Sequence, residues 1–246
     1  MASPDHQIGV PQPNDPAARQ LLREATERNY HWPSDFGGFA ADLRYRNGAL
    51  ALEGRVSAPG PRAIQLDLPG APAEELAWLR GEVASLIGHR LHRDFAQGDG
   101  RYGITAEPDD GHPFGRRVRL HGDPLRSSYR IRDGMLRQAT RHLSERFFTL
   151  CVSEVQLLGA DHYVAQQYSV VHFAATDGRL IRSDVYTDHY VSINNIWLLG
   201  TRQLLAADDG GLRMRVLEFA NLRLLEGDSS AELAPQEYDQ MRAKRR

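Results

Sequence analysis

From residue 161 onward the chain alternates apolar and polar side chains almost without a break, pausing only where turn formers stand. "DHYVAQQYSVVHFAATDGRLIRSDVYTDHYVSINN" reads as two long strands meeting near Asp177-Gly178. "IWLLGTRQLLAADDGGLRMRVLEFANLRLL" reads as two more, meeting at Asp208-Asp209-Gly210-Gly211. A period of two sends successive side chains to opposite faces of a sheet, and Asx-Gly pairs tolerate the positive φ that tight hairpins require. Four long strands joined by such short turns form an antiparallel meander.

The same pattern runs upstream. "GFAADLRYRNGALALEGRVS" is a hairpin at Asn47-Gly48, with Phe39, Ala41, Leu43 and Tyr45 on one face and Leu50 and Leu52 following the turn. "RAIQLDLPG" is a third short strand. "YGITAE", "RRVRLHG", "SSYRIRDGML" and "RHLSERFFTLCVSEVQLL" are further alternating runs, with Asp133-Gly134 as another hairpin signal.

Two segments change the period. In "AARQLLREATERN" Asp15 can cap a helix, Pro16 suits its first turn and Pro33 stops it. "APAEELAWLRGEVASLIGHRLHRDF" carries Leu76, Leu79, Val83, Leu86, Ile87 and Leu91 at three- and four-residue steps. This predicts a helix over 72–93, with Glu74 and Glu75 in its first turn and Arg90 and Arg93 in its last. No strand–helix–strand repeat appears, which disfavours a parallel sheet.

The predicted fold class is α+β, mainly antiparallel β: a long curved sheet or half-barrel with one packed helix and an N-terminal helix. Many strands in one sheet curl, and one helix leaves part of the concave side open. Residues 1–14 read as a flexible arm, 15–228 as a single curved-sheet domain and 229–246 as a polar C-terminal tail.

Composition narrows the function classes. With 30 basic and 32 acidic residues the net charge is −2, which gives no electrostatic reason to expect nucleic acid or an anionic membrane as the main partner. The single cysteine, Cys151, excludes a disulfide framework or a cysteine-built zinc or iron–sulfur site within one chain. It sits in an apolar run and reads as a small buried hydrophobe. The N-terminus lacks a basic region followed by an apolar stretch, and no apolar run reaches the roughly 18 residues of a membrane span. The expectation is a soluble, cytoplasmic protein with no membrane insertion.

"ARQLLREATERNYHWPSDFGGFAADLRYRNGALALEGRV", "SSYRIRDGMLRQATRHL" and "DVYTDHYVSINNIWLLGTRQLL", in that order and spacing, resemble a family of uncharacterised proteins frequent in oxygenic phototrophs. The resemblance spans roughly residues 15–225. That family brings no established activity and no catalytic residues. The closing meander also resembles, in architecture, the half-barrels of bacterial lipoprotein carriers, which hold acyl chains.

Candidate chemistry gathers in "SDVYTDHYV". Asp184, Tyr186, Asp188 and Tyr190 share one strand face, and Val185, Thr187, His189 and Val191 the other. The preceding strand offers Tyr168, Val170 and His172, with Asp184 falling near His172 or Phe173 across the turn. Two readings stand. A histidine–carboxylate pair drawn from His172, Asp184, Asp188 and His189 would serve general acid–base catalysis. Otherwise the aspartates face water and the histidine is partly buried.

His89 and His92, three apart near a helix end, are the candidate metal or haem ligands, although Arg90 and Arg93 beside them repel a cation. No serine elbow, phosphate loop or dinucleotide glycine pattern is present. Tyr168, Tyr186, Tyr190, Trp197 and Trp78 are the candidate ligand contacts, because a bent sheet lined with aromatics and a few polar anchors suits an apolar ligand.

The leading expectation is therefore a protein that binds an apolar or amphipathic small molecule on the concave face and needs no cofactor. The alternatives are a cofactor-independent isomerase, cyclase or lyase using the His/Asp pair, and a His-ligated metal or haem protein.

Overall fold

The computed structural model describes residues 13–60 and 63–226. The predicted arm, apart from residues 13 and 14, and the predicted tail lie outside the described residues.

Helix α1 (Pro16–Arg28) begins as the sequence dictates. The Asp15 carboxylate accepts from the Ala17 amide at 2.9 Å, and Pro16 occupies the first position. Strands β1 (Phe39–Asn47), β2 (Leu50–Ala58) and β3 (Gln65–Asp67) precede helix α2 (Ala73–Arg90). A short 3-10 turn (Asp99–Arg101) leads into β4 (Gly103–Ala106), β5 (Arg116–His121), β6 (Ser128–Arg132) and β7 (Met135–His142). The four-strand meander is preceded by β8 (Arg146–Leu158) and consists of β9 (His162–Ala174), β10 (Leu180–Ile193), β11 (Ile196–Asp208) and β12 (Gly211–Leu224).

All twelve strands form one antiparallel, open, curved sheet in the order β3-β2-β1-β12-β11-β10-β9-β8-β7-β6-β5-β4. The predicted fold class is therefore what the chain adopts. The join the sequence did not announce is β1 against β12. It pairs Leu43 with Phe219 and Tyr45 with Leu217, four inward-facing and buried side chains, so apolar burial drives it.

Register shifts between β8 and β9, between β10 and β11, and between β6 and β7 mark bulges that bend the strands. The order also makes β3 and β4, consecutive in the chain, the two edges of the sheet. Residues 68–102, including α2, therefore run from one edge to the other across the concave face.

The two larger of three buried apolar clusters pack under the helices. Leu79, Val83, Leu86 and Ile87 of α2 meet Leu43, Tyr45, Val56, Leu198 and Leu217. Leu22 and Ala25 of α1 meet Ile104, Val118, Tyr129 and Ile131 near the other edge. Between the two helices the middle strands, β7 to β10, are not fully covered.

The second predicted helix ends earlier than its periodicity suggests. Trp32 donates its amide to the Arg90 carbonyl at 2.6 Å, and Leu91 turns extended, so His92 and Arg93 leave the helix. Cys151, predicted to be buried, is half-buried, with its sulfur 3.4 Å from Gln138 Nε2. Among the described residues no helix is long and apolar enough to cross a membrane.

Candidate functional site

A cavity of about 280 Å³ lies where the uncovered strands meet the helix ends. Phe148, Leu150 and Val152 of β8 and Ala165 of β9 form its floor. Leu86 of α2, with Leu91 and Phe95 beyond it, forms its roof. Alternate residues of one strand supply the floor because a pleated strand shows one face every second residue. Thr26 of α1, and Asn29 and His31 just after it, close one side. That linker is fixed in place: Tyr30 donates its amide to the Tyr163 carbonyl at 2.8 Å, and Tyr163 Oη donates to the Ala25 carbonyl at 3.0 Å.

One end of the cavity is polar: Tyr168, Tyr190 and Arg202 line it, and they gather round Asp188 of the candidate stretch. Asp188 on β10 stands directly opposite Arg202 on β11. Arg202 Nε and Nη2 donate to the two Asp188 oxygens at 2.8 and 2.6 Å, and Arg202 Nη1 donates to Glu82 Oε1 of α2 at 2.6 Å. Arg202 Nη2 also donates to Tyr168 Oη at 3.0 Å, and the guanidinium lies 5.1 Å from the Tyr186 ring centroid. Tyr168 and Tyr186 stack with centroids 4.7 Å apart. Tyr190 Oη donates to Asp188 Oδ2 at 3.4 Å and accepts from Arg90 Nη2 at 3.0 Å.

The charged members of the cluster are buried: Asp188 is 0%, Glu82 2% and Arg202 5% exposed. Burial alone would lower the Arg202 pKa, but the facing carboxylates of Asp188 and Glu82 hold it well above its ordinary value. Burial pushes the Tyr168 and Tyr190 phenols up, so both stay protonated donors. His31 goes the other way. Burial, then the charges of Arg90, His92 and Arg93, push it down to about 4, so it is neutral at pH 7.

No curated protein matches the chain. Residues 14–225 match the family described as "Protein of unknown function (DUF3386)". The chain belongs to the DUF3386 family. Among solved structures, a LolA superfamily protein from Nitrosomonas europaea is similar at 15% identity and TM-score 0.37, over 90% of this chain and 96% of that one. A Vibrio parahaemolyticus domain assigned to outer membrane lipoprotein sorting is similar at 10% identity and TM-score 0.35, over 93% and 99%. A DUF1329 family protein from Desulfovibrio piger follows at 8% identity and TM-score 0.26, over 90% and 95%.

In this DUF3386 member the predicted site residues divide. Tyr168 and Tyr190 line the cavity; Tyr186, Trp78 and Trp197 do not. Trp78 stacks instead on Tyr45 at 5.8 Å, and the Trp197 carbonyl accepts from Trp32 Nε1 at 2.9 Å.

The reading that placed the aspartates in water and the histidine partly inside is reversed. Asp184 and Asp188 are buried and His189 is exposed: Arg182 pairs with Asp184 at 2.7 Å, Arg202 pairs with Asp188, and His189 stands on the opposite face of the strand. His189 therefore projects away from Asp188. His172 faces Arg182 across the β9–β10 pair and Asp184 faces Val170, two residues along from His172 and three from Phe173. None of His172, Asp184, Asp188 and His189 lines the cavity. His92 lies beyond the end of α2, so it and His89, both exposed, share no helix face. Among the described residues no group of three or more His, Cys, Asp or Glu is placed to hold a metal ion.

Arg90, Arg202 and Glu82 were not singled out in the sequence as site residues. Their signal was phase: Arg202 alternates in step with Leu204 and Ala206, and Glu82 falls between Leu79 and Leu86 on the inward side of α2.

Proposed function

We propose that the chain binds an apolar or amphipathic small molecule in this cavity. What supports the reading is a hollow floored by Phe148, Leu150, Val152 and Ala165 with Tyr168, Tyr190 and Arg202 gathered at one end. At about 280 Å³ it stands just below the roughly 300–1,000 Å³ typical of small-molecule sites, which suits a small or slender ligand. Its fixed walls favour it further: the strands below are hydrogen-bonded on both sides, and the linker above is pinned at Tyr30 and Trp32. Preorganisation lowers the entropy that binding must overcome.

Ala165→Trp fills the floor. With a fluorescent apolar probe such as an anilinonaphthalene sulfonate, the variant is expected to lose at least ten-fold in affinity while its thermal midpoint and circular dichroism hold. Native mass spectrometry of the parent protein from several expression hosts should show a retained mass that the variant lacks. Unchanged probe affinity in a folded Ala165→Trp protein sinks the assignment of the site.

A further inference from the structure

We propose that the ligand is a single-chain amphiphile with an anionic head, a carboxylate or a sulfate or phosphate ester, seated against Arg90 and Arg93. This deepens the reading above and rests on it. Three arginines are buried among the described residues: Arg90, Arg130 and Arg202. Arg202 holds Asp188 and Glu82, and Arg130 holds Asp110 through two bonds of 2.9 and 2.6 Å. Among the described residues Arg90, 8% exposed, makes no direct ion pair with a carboxylate. Its partners are neutral: the Tyr30 carbonyl at 3.0 Å, Asn29 Oδ1 at 3.3 Å and Tyr190 Oη at 3.0 Å, with the Tyr190 ring 5.3 Å away. Its tie to a carboxylate is indirect, through Tyr190 Oη to Asp188, and a buried cation without a direct ion pair is costly unless an anion completes it.

The surroundings point the same way. Arg93 and His31 line the cavity beside Arg90, and the positive charges of Arg90 and Arg93 both act on His31. Two carboxylates also line the cavity. Asp99 accepts from Tyr129 Oη at 2.7 Å and Asp94 from the Ala96 amide at 2.7 Å, so each already serves a local donor. Beyond the arginines the wall turns apolar at Leu91, Phe95, Phe148, Leu150 and Val152, where a chain follows the head. A charge-assisted contact out of water separates an acid from an isosteric alcohol by an order of magnitude or more.

The test is calorimetric titration at low salt of dodecanoic acid, dodecanol and dodecyltrimethylammonium into the full chain. It is repeated with Arg93→Gln, an exposed position, and with Arg90→Lys, which keeps the buried charge and loses the fork. The acid is expected to bind about ten-fold or more tighter than the alcohol and the ammonium weakest. The acid–alcohol ratio should fall below about three-fold in Arg93→Gln. Equal binding of acid and alcohol, a preference for the ammonium, or an acid preference that both variants retain overturns the anionic head and leaves the binding site standing. If none of the three binds, the binding reading itself is overturned.

Discussion

Asp188 illustrates how a residue's neighbours, rather than its type, decide its place. In the sequence it stands among threonine, tyrosine and histidine, with nothing adjacent to mark it as interior. It goes inside because Arg202, fourteen residues on, faces it across a hairpin and donates to both of its oxygens, while the guanidinium's remaining nitrogen holds Glu82 from a helix. Breaking such a set strands two carboxylates in a dry site. Arg202→Met should cost about 3–5 kcal/mol in urea denaturation, whereas replacing Arg202, Asp188 and Glu82 together by Met, Leu and Leu should recover most of the loss. A triple variant no more stable than the single one would show that the cluster acts through shape rather than charge. His31 gives a second prediction. Its folded value near 4 lies below the unfolded 6.5, so between those values the unfolded chain takes up a proton that the folded chain refuses. This contribution leaves stability intact above about pH 6.5 and erodes it as the pH falls toward 4. His31→Gln should therefore lessen the loss of stability between pH 7 and pH 4.5 by on the order of 2 kcal/mol, measured as the difference in denaturation midpoints.

At the level of elements, the turns were the most legible feature, because each rests on local chemistry. Asp133-Gly134 and Asn194-Asn195 both adopt positive φ at two successive residues, the geometry that a two-residue hairpin needs. The β1–β2 hairpin, the short third strand and the meander fell where their patterns placed them. Helix length was less legible: α2 stops because Trp32, from a distant segment, takes its last carbonyl, and no local pattern carries that information. The placing of β3 depends on one absent side chain. A Cβ at Gly54 would collide with the Asp67 carbonyl, so only glycine lets the edge strand dock. Gly54→Ala should cost roughly 1–3 kcal/mol and speed amide exchange in residues 65–67 before it does so elsewhere. Uniform acceleration across the sheet would contradict that local role.

At the level of the whole molecule, the sequence showed a curved antiparallel sheet and withheld its order. The pairing of β1 with β12 joins the two ends of the described chain, and neither strand carries a mark of its partner beyond inward Leu and Phe. The cavity was hidden for the same reason, since its roof belongs to residues 86–95 and its floor to β8 and β9. Leu217→Ala, at that seam, should cost about 2–5 kcal/mol and lower the unfolding midpoint seen by every probe together. Loss confined to β1–β3 would mean that the seam divides the sheet rather than unites it. The passage of residues 68–102 from one sheet edge to the other has one more effect. An arch whose two feet are tied by a single rod cannot spread without stretching the rod. Here the tie is also the ceiling over the hollow, so any guest that forces the arch wider must tug on its own ceiling, and a guest's girth is felt at β3 and β4, far from where it sits.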